Sequence, residues 1–301
     1  MRYQTILHYI EAAARYGSIR RAAEELALTP SAMNRRIQAF EAELGEKVFE
    51  RLPQGVRLNP AGELLLFSAR KQIAEMERLR SQIADLSGMR RGHVSVACSQ
   101  ALAPYFLPEQ VMEYNARYPQ VTFDVAVSDR GVAEHALASF SADFALIFGA
   151  THLPEVQVVL QAEQVLHVIM ARDHPLARQE TVRLRDALRF RLALPTQAFA
   201  GRQMLDLAMA RASMPRQLLI ESNSFEFLKS VVTQSDAIMV QIPIGTPTLP
   251  DGDIVSRPLD SRDVPHGMLS VLQLRGRALS VASARFLDQI IRALESRFHV
   301  T

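Results

Sequence analysis

Apolar residues in the first fifth of the chain recur at helical rather than strand spacing. Over residues 18–27, Ala22, Ala23 and Leu26 fall on one side of a short helix. A second helix is predicted from Thr29, which can cap it, and Pro30, which suits a first helical position because no amide hydrogen is needed there. Its stripe is Met33, Ile37, Phe40 and Leu44, and Gly45 ends it. Ala23 is small enough to let the two helices cross closely, with Leu28 filling the corner between them. The face left outside carries Ser31, Asn34, Arg35 and Gln38, side chains able to hydrogen-bond base edges and phosphates. This spacing predicts a helix-turn-helix. An ordinary helical hairpin with a solvated polar face is the competing reading.

The next residues favour the first reading. Strand-like runs at 48–49 and 56–58 flank a Pro53-Gln54-Gly55 turn, predicting a small wing. Arg51 and Arg57 sit on either side of that turn, placed for a phosphate backbone or a minor groove. Asn59-Pro60 then opens a further helix as Thr29-Pro30 does. From Pro60 to Leu86 nothing after Gly62 breaks the helical pattern, and Leu66, Ala69, Ile73, Met76, Leu79, Ile83 and Leu86 recur three or four apart. At 1.5 Å per residue such a helix spans about 40 Å. Its single stripe suits a coiled coil with a second chain, or packing onto its own domain. Residues 87–92 read as a hinge.

Beyond residue 92 the period changes. Short β-rich runs at 93–99, 121–128, 143–149 and 166–172 alternate with helical patterns, and a second set lies at 191–196, 217–222 and 237–242. Helices are expected over Gly201–Met214, Phe225–Thr233 and Ser280–Ser296. Strand alternating with helix predicts an α/β fold on a mostly parallel sheet, divided into two half-domains with a cleft between them. The domains expected are 1–58, a linker helix over 59–88, and 89–301. The last splits into lobes of about 89–160 with 266–301, and 161–265. Ligands in such folds meet the carboxyl ends of strands and the free amides of helix N-termini. That singles out Ser99 and Gln100, Ser128 and Asp129, Phe148 and Gly149, Thr196, and Ser224 after Ser222 and Asn223. Each could equally be a cap or turn residue. Arg202 is either a carboxylate clamp or a surface arginine.

Composition adds limits. The 301 residues are 48% hydrophobic and carry a formal net charge of +2, so the chain is no polyanion-coating protein. Residues 1–58 hold nine Arg or Lys against seven Asp or Glu, and placement decides more than this total. Arg15, Arg20, Arg21, Arg35, Arg36, Arg51 and Arg57 cluster around the motif. One cysteine, Cys98, excludes a disulfide framework within the chain and fits a reducing compartment. It lies in an expected strand as an inert buried thiol, with redox sensing as the alternative. No signal peptide and no membrane span is read, so the expected location is cytoplasmic. The eight histidines lack zinc-ligand spacing, and neither a phosphate loop nor a nucleophile elbow is present. No metal or cofactor is expected.

From Leu7 to about Gly92 the chain resembles the LysR-type transcriptional regulators. The matching residues include Gly17-Ser18, Arg21-Ala22-Ala23, Leu26, Ser31-Ala32, Arg35, Ile37, Leu44-Gly45, Phe49-Glu50-Arg51 and Leu58-Asn59-Pro60-Ala61-Gly62. Looser matches follow at Tyr118-Pro119, Val121, Asp143 to Ile147, Asp173 to Leu176, Leu194-Pro195 and Leu279-Ser280. The resemblance implies a winged helix-turn-helix, a dimerising linker helix, and an effector domain of the periplasmic-binding-protein fold. It also implies duplex promoter DNA as partner, a small effector (an organic anion is one candidate) touching Ser99 and Gln100, RNA polymerase as a further candidate partner, and a homodimer or homotetramer. Two departures stand out. Pro30-Ser31 replaces the family's usual Gln-Pro pair, while Asn34 stands where Ser is common and can pair with adenine. Near the end of the second lobe, Gln234 to Ile238 replaces a Gly-rich stretch. An enzyme or metabolite-binding protein on the same bilobal fold, with the N-terminal helices serving oligomerisation, is the alternative.

Overall fold

The computed structural model describes residues 2–86, 91–149, 153–212, 216–246 and 253–300. The chain divides into two compact units, Met1–Arg80 and Ser81–Thr301.

The first unit opens with α1 (Arg2–Tyr16), followed by α2 (Ile19–Glu25) and α3 (Pro30–Leu44). Leu7, Ile10 and Ala13 of α1 are buried with Ala22, Ala23, Met33, Ile37 and Phe40, so the helix-turn-helix pair rests on a third helix. Both caps form as their residue types dictate: Ser18 accepts from the Arg21 amide and Thr29 from the Ala32 amide. Gly45 closes α3 at φ +78°, a left-handed conformation that costs any L side chain about 1–2 kcal/mol. Two expected core positions fall outside. Leu26 is 38% exposed and Leu44 45% exposed. Leu26 is the C-cap of α2, where the backbone has already left the helix, and Leu44 is the last residue of α3. The wing is β1 (Phe49–Leu52) antiparallel to β2 (Gly55–Leu58), with Glu50 opposite Arg57. Asn59 then accepts from the Gly62 amide at 2.8 Å and starts α4 (Pro60–Leu86). The α4 stripe changes character along its length. Leu66 and Ala69 are buried and Ile73 is half-buried, whereas Met76, Leu79 and Ile83 are exposed. The expected hinge falls at residues 87–90, outside the described residues, and 91–92 already belong to the next strand.

In the second unit the elements are β3 (Arg91–Cys98), α5 (Phe106–Arg117), β4 (Gln120–Val127), α6 (Arg130–Ala138), β5 (Phe144–Phe148), β6 (Val156–Gln164), β7 (His167–Ala171), α7 (Leu184–Ala187), β8 (Arg191–Pro195), α8 (Ala200–Ala212), β9 (Gln217–Ser222), α9 (Phe225–Thr233), β10 (Met239–Gln241), β11 (Ile254–Pro258), β12 (Gly267–Leu274) and α10 (Val281–Arg297). The first lobe holds a five-stranded sheet in the order β4-β3-β5-β12-β6. Pairs β3–β4 and β3–β5 are parallel, but β12 runs antiparallel to both β5 and β6. The sheet is therefore mixed rather than mostly parallel. β6 carries the chain out of this lobe and β12 brings it back, so the two lie side by side in opposite directions. In the second lobe β7 pairs antiparallel with β10 and β11, while β8 pairs parallel with β9. Under the first sheet Phe286 of α10 meets Tyr114 at 5.2 Å and Phe123 at 4.9 Å between ring centres, edge to face.

His167 begins β7 with Nδ1 3.2 Å from Ser256 Oγ. Burial first, then the nearby Arg257 charge, pushes its pKa from the ordinary 6.5 down to about 4. A folded pKa below the unfolded one means that acid favours the unfolded chain. Stability from this group is full above pH 6.5 and declines as pH falls towards 4. The loss should reach about 2 kcal/mol at pH 5. Burial lowers His174 as well, in the same sense. Urea unfolding of the second unit at pH 7 and 5 should show the loss, and His167→Asn should remove most of it. An equal acid sensitivity in that variant would assign the effect elsewhere.

Candidate nucleic-acid interface and ligand cleft

In the first unit α3 and the wing border an open groove lined by Asn34, Gln38, Glu41, Lys47, Glu50 and Arg51, among others. Thr29 Oγ1 lies 3.3 Å from the Ala32 amide and 3.4 Å from Ser31 Oγ, which fixes the first turn. Asn34 is half-buried, and its Oδ1 receives Arg51 Nη2 from the wing at 3.5 Å. Arg35 and Gln38 are exposed. Arg36, by contrast, turns back to donate to Tyr9 Oη at 2.6 Å. Arg57 donates to Glu50 at 2.7 Å, an exposed pair of the kind that holds weakly and can exchange its partner. Arg20 is similarly paired with Glu24 at 3.1 Å. The arginine cluster thus splits between groups that brace the unit and groups that face outward. Lys47 also lines the groove; nothing in its local sequence singled it out.

In the second unit a narrow cleft of about 50 Å³ lies between the lobes. The Ser99 amide donates to Leu146 O and the Ser128 amide to Cys98 O, both at 2.9 Å, so the serines stand at the ends of the adjacent parallel strands β3 and β4. Both line the cleft, and both Oγ atoms are buried with no hydrogen-bond partner. Asp129 and Phe148 line it too. Asp129 is also the cap of α6, accepting from the Val132 amide at 3.0 Å. Gly149 adopts φ +107°, donates to Met268 O at 2.8 Å, and leaves room for the Arg130 guanidinium, whose Nη1 lies 3.7 Å from where a Cβ would stand. Arg130, which also lines the cleft, is a cation that sequence reasoning missed. The signal was its place at the first position of a helix just after a strand end.

Four expected contacts have partners within the protein. Arg202 lines the cleft but is neither on the surface nor a free clamp: it is 2% exposed, and its guanidinium is taken up by Asp206 at 2.9 Å, Glu221 at 2.7 Å and Pro195 O at 2.6 Å. Ser224 caps α9, accepting from the Phe227 amide at 3.3 Å, and does not line the cleft. Thr196 also stays off the lining; its amide donates to Ser222 O at 3.2 Å. Gln100 is a lobe-to-lobe strut, donating to Asn223 O at 2.5 Å and accepting from the Phe225 amide at 3.1 Å. A second tie runs beside it, with buried Lys229 of the second lobe held by Glu226 and lying 4.9 Å above the Tyr105 ring of the first. Cys98 is buried, and burial pushes its thiol up to about 12, which disfavours the reactive thiolate. Among the described residues no cluster of His, Cys, Asp and Glu could hold a metal ion, and no helix is long and apolar enough to cross a membrane.

Residues 5–63 match the model of the bacterial regulatory helix-turn-helix protein, lysR family, and residues 87–295 match that of the LysR substrate binding domain. The chain is 27% identical over 293 residues to a protein of Porphyra purpurea named "Probable RuBisCO transcriptional regulator", covering 95% of this chain and 92% of that one. Among solved structures, a full-length OxyR variant from Pseudomonas aeruginosa superposes with a TM-score of 0.70 at 20% identity, over 97% of this chain and 94% of that chain. Full-length CbnR, solved with its target DNA, gives 0.66 at 19% identity, over 96% and 99% of the two chains. At such identities the two structures speak for the fold, and the two family models, which together span most of the sequence, speak for descent. The chain belongs to the LysR family of bacterial transcriptional regulators, with an N-terminal helix-turn-helix and a C-terminal effector-binding domain.

Proposed function

We propose that this regulator works in the cytoplasm, has no enzymatic activity, and reads duplex promoter DNA with the outward face of α3. Thr29, Pro30 and Ser31 form the leading turn. Asn34, Arg35 and Gln38 reach base edges or phosphates, and Arg51 and Arg57 of the wing hold the backbone. The observation that carries this reading is the alignment of Ser31, Asn34, Arg35 and Gln38 on one accessible face while Met33, Ile37 and Phe40 are buried behind it. The solved CbnR complex with target DNA supports the same partner class. Functionally the chain divides into 1–58 for DNA binding, 59–88 for association, and 89–301 for effector binding, with lobes of about 89–160 plus 266–301, and 161–265. The exposed Met76 and Leu79 of α4 favour a coiled coil between copies, giving a homodimer or homotetramer whose recognition helices meet grooves about 34 Å apart.

The effector is a small organic anion bound near Ser99, Ser128 and Arg130, with Asp129, Phe148 and Gly149 shaping the wall and Gln100 tying the lobes. It acts through different affinity for two arrangements of the oligomer. The purified chain should retard promoter fragments, with an affinity that falls steeply as salt rises. Turnover of a substrate with no retention of DNA would contradict the proposal. Asn34→Ala should cost about 1–3 kcal/mol at one base position and relax specificity there. A selection of bound sequences measures this, and a uniform loss would assign Asn34 to the backbone.

A further inference from the structure

Gln241 ends β10, and packing alone would place an apolar residue there: Met239, Val240 and Ile242 beside it are all buried. The residue is 3% exposed and lines the cleft on the second-lobe wall. The amide Nε2 donates to Gly245 O at 2.7 Å. That bond fixes which end is which, because a flipped amide would set oxygen against oxygen. Oε1 is therefore an obligate acceptor, and it has no hydrogen-bond partner in the protein. Burying an unmet carbonyl is unfavourable, and a ligand group that donates to it would remove the penalty. The first-lobe wall of the same cleft includes Ser99 and Ser128, whose Oγ atoms are also unpartnered, and Arg130.

From this arrangement we infer that Gln241 is a specificity-determining residue, selecting an effector that carries a hydrogen-bond donor, such as a hydroxyl, as well as an acidic group. The inference rests on the effector-cleft reading above. The acid is held by the first lobe and the hydroxyl donates to Gln241 Oε1 on the second, so one molecule bridges both walls. An acid without the hydroxyl keeps only the first-lobe contacts and leaves the Gln241 carbonyl unmet.

Calorimetric titration of the full chain with three matched pairs tests this: propionate and lactate, succinate and malate, benzoate and 4-hydroxybenzoate. At least one hydroxy acid should bind about ten- to a hundredfold more tightly than its partner. Gln241→Met should bring that ratio close to one. The wild-type comparison stands even if the variant does not fold. Equal affinities within every pair, including the case in which none of the six acids binds, would overturn the inference, as would a preference that survives Gln241→Met. Promoter retardation measured on the same preparation separates the two readings. If DNA is retained while the pairs bind alike, only the inference fails; if DNA is ignored, the regulatory reading fails whatever the acids do.

Discussion

Replacing Arg202 by leucine is expected to destabilise the C-terminal unit by about 3 kcal/mol. Arg202 has almost no exposed surface, and its guanidinium ties α8 to β8 through Pro195 O and to β9 through Glu221, with Asp206 of the same helix as a third partner. Removing the cation leaves the Pro195 carbonyl without that donor and sets two carboxylates near each other with less to balance them. Breaking one side of a buried ion pair costs about 3–5 kcal/mol. The lower end applies here because Asp206 and Glu221 are 23% and 39% exposed, and Asp206 keeps Arg216 at 3.1 Å. The midpoint of urea unfolding reads the effect. Glu221→Gln, which keeps an acceptor for the guanidinium, should cost much less. A loss below about 1 kcal/mol for Arg202→Leu would mean that the buried cation is not holding this lobe together.

The second large effect is on DNA. Arg35→Ala combined with Arg51→Ala should lower affinity for promoter DNA by about 10²–10³-fold at moderate salt. Arg35 projects from the exposed face of α3, and Arg51 reaches across the groove from the wing to Asn34. Neither arginine belongs to the buried core, so folding should be little changed and circular dichroism should match the wild type. Loss of phosphate contacts lowers the steepness of the salt dependence as well as the affinity, by about one unit for each contact removed. A loss confined to particular base positions would instead mark one of the two arginines as a base reader. Fluorescence anisotropy across a salt series distinguishes these outcomes.

Local signals made much of this architecture legible. Thr29-Pro30 and Asn59-Pro60 mark helix starts because capping is a contact over three residues, visible without any knowledge of the fold. The unbroken period from Pro60 to Leu86 corresponds to one helix for the same reason. What stayed hidden depends on pairing across long separations. The antiparallel return of β12 against β6 brings together residues more than a hundred positions apart, and no local pattern encodes its direction. Gln100 meets Asn223 across 123 positions, so its part as a strut could not be read from the strand end it follows. Arg202 looked like a surface residue because Asp206, four positions on in the same helix, reads as an ordinary exposed partner, while Glu221 and Pro195 O meet it only once α8 packs on β8 and β9. The exposure of Leu26 and Leu44 has the opposite origin. A periodic stripe says which side faces inward, not where along the helix the core ends.

The central claim is that the Ser31–Gln38 face of α3 enters the major groove. Guanine N7 is exposed only in that groove, so dimethyl sulfate protection tests the claim most directly. Genomic fragments retained by the protein should show protected guanines in patches one helical turn, or a small multiple of it, apart. Tight retention of DNA with every guanine N7 as reactive as in free duplex would contradict the account.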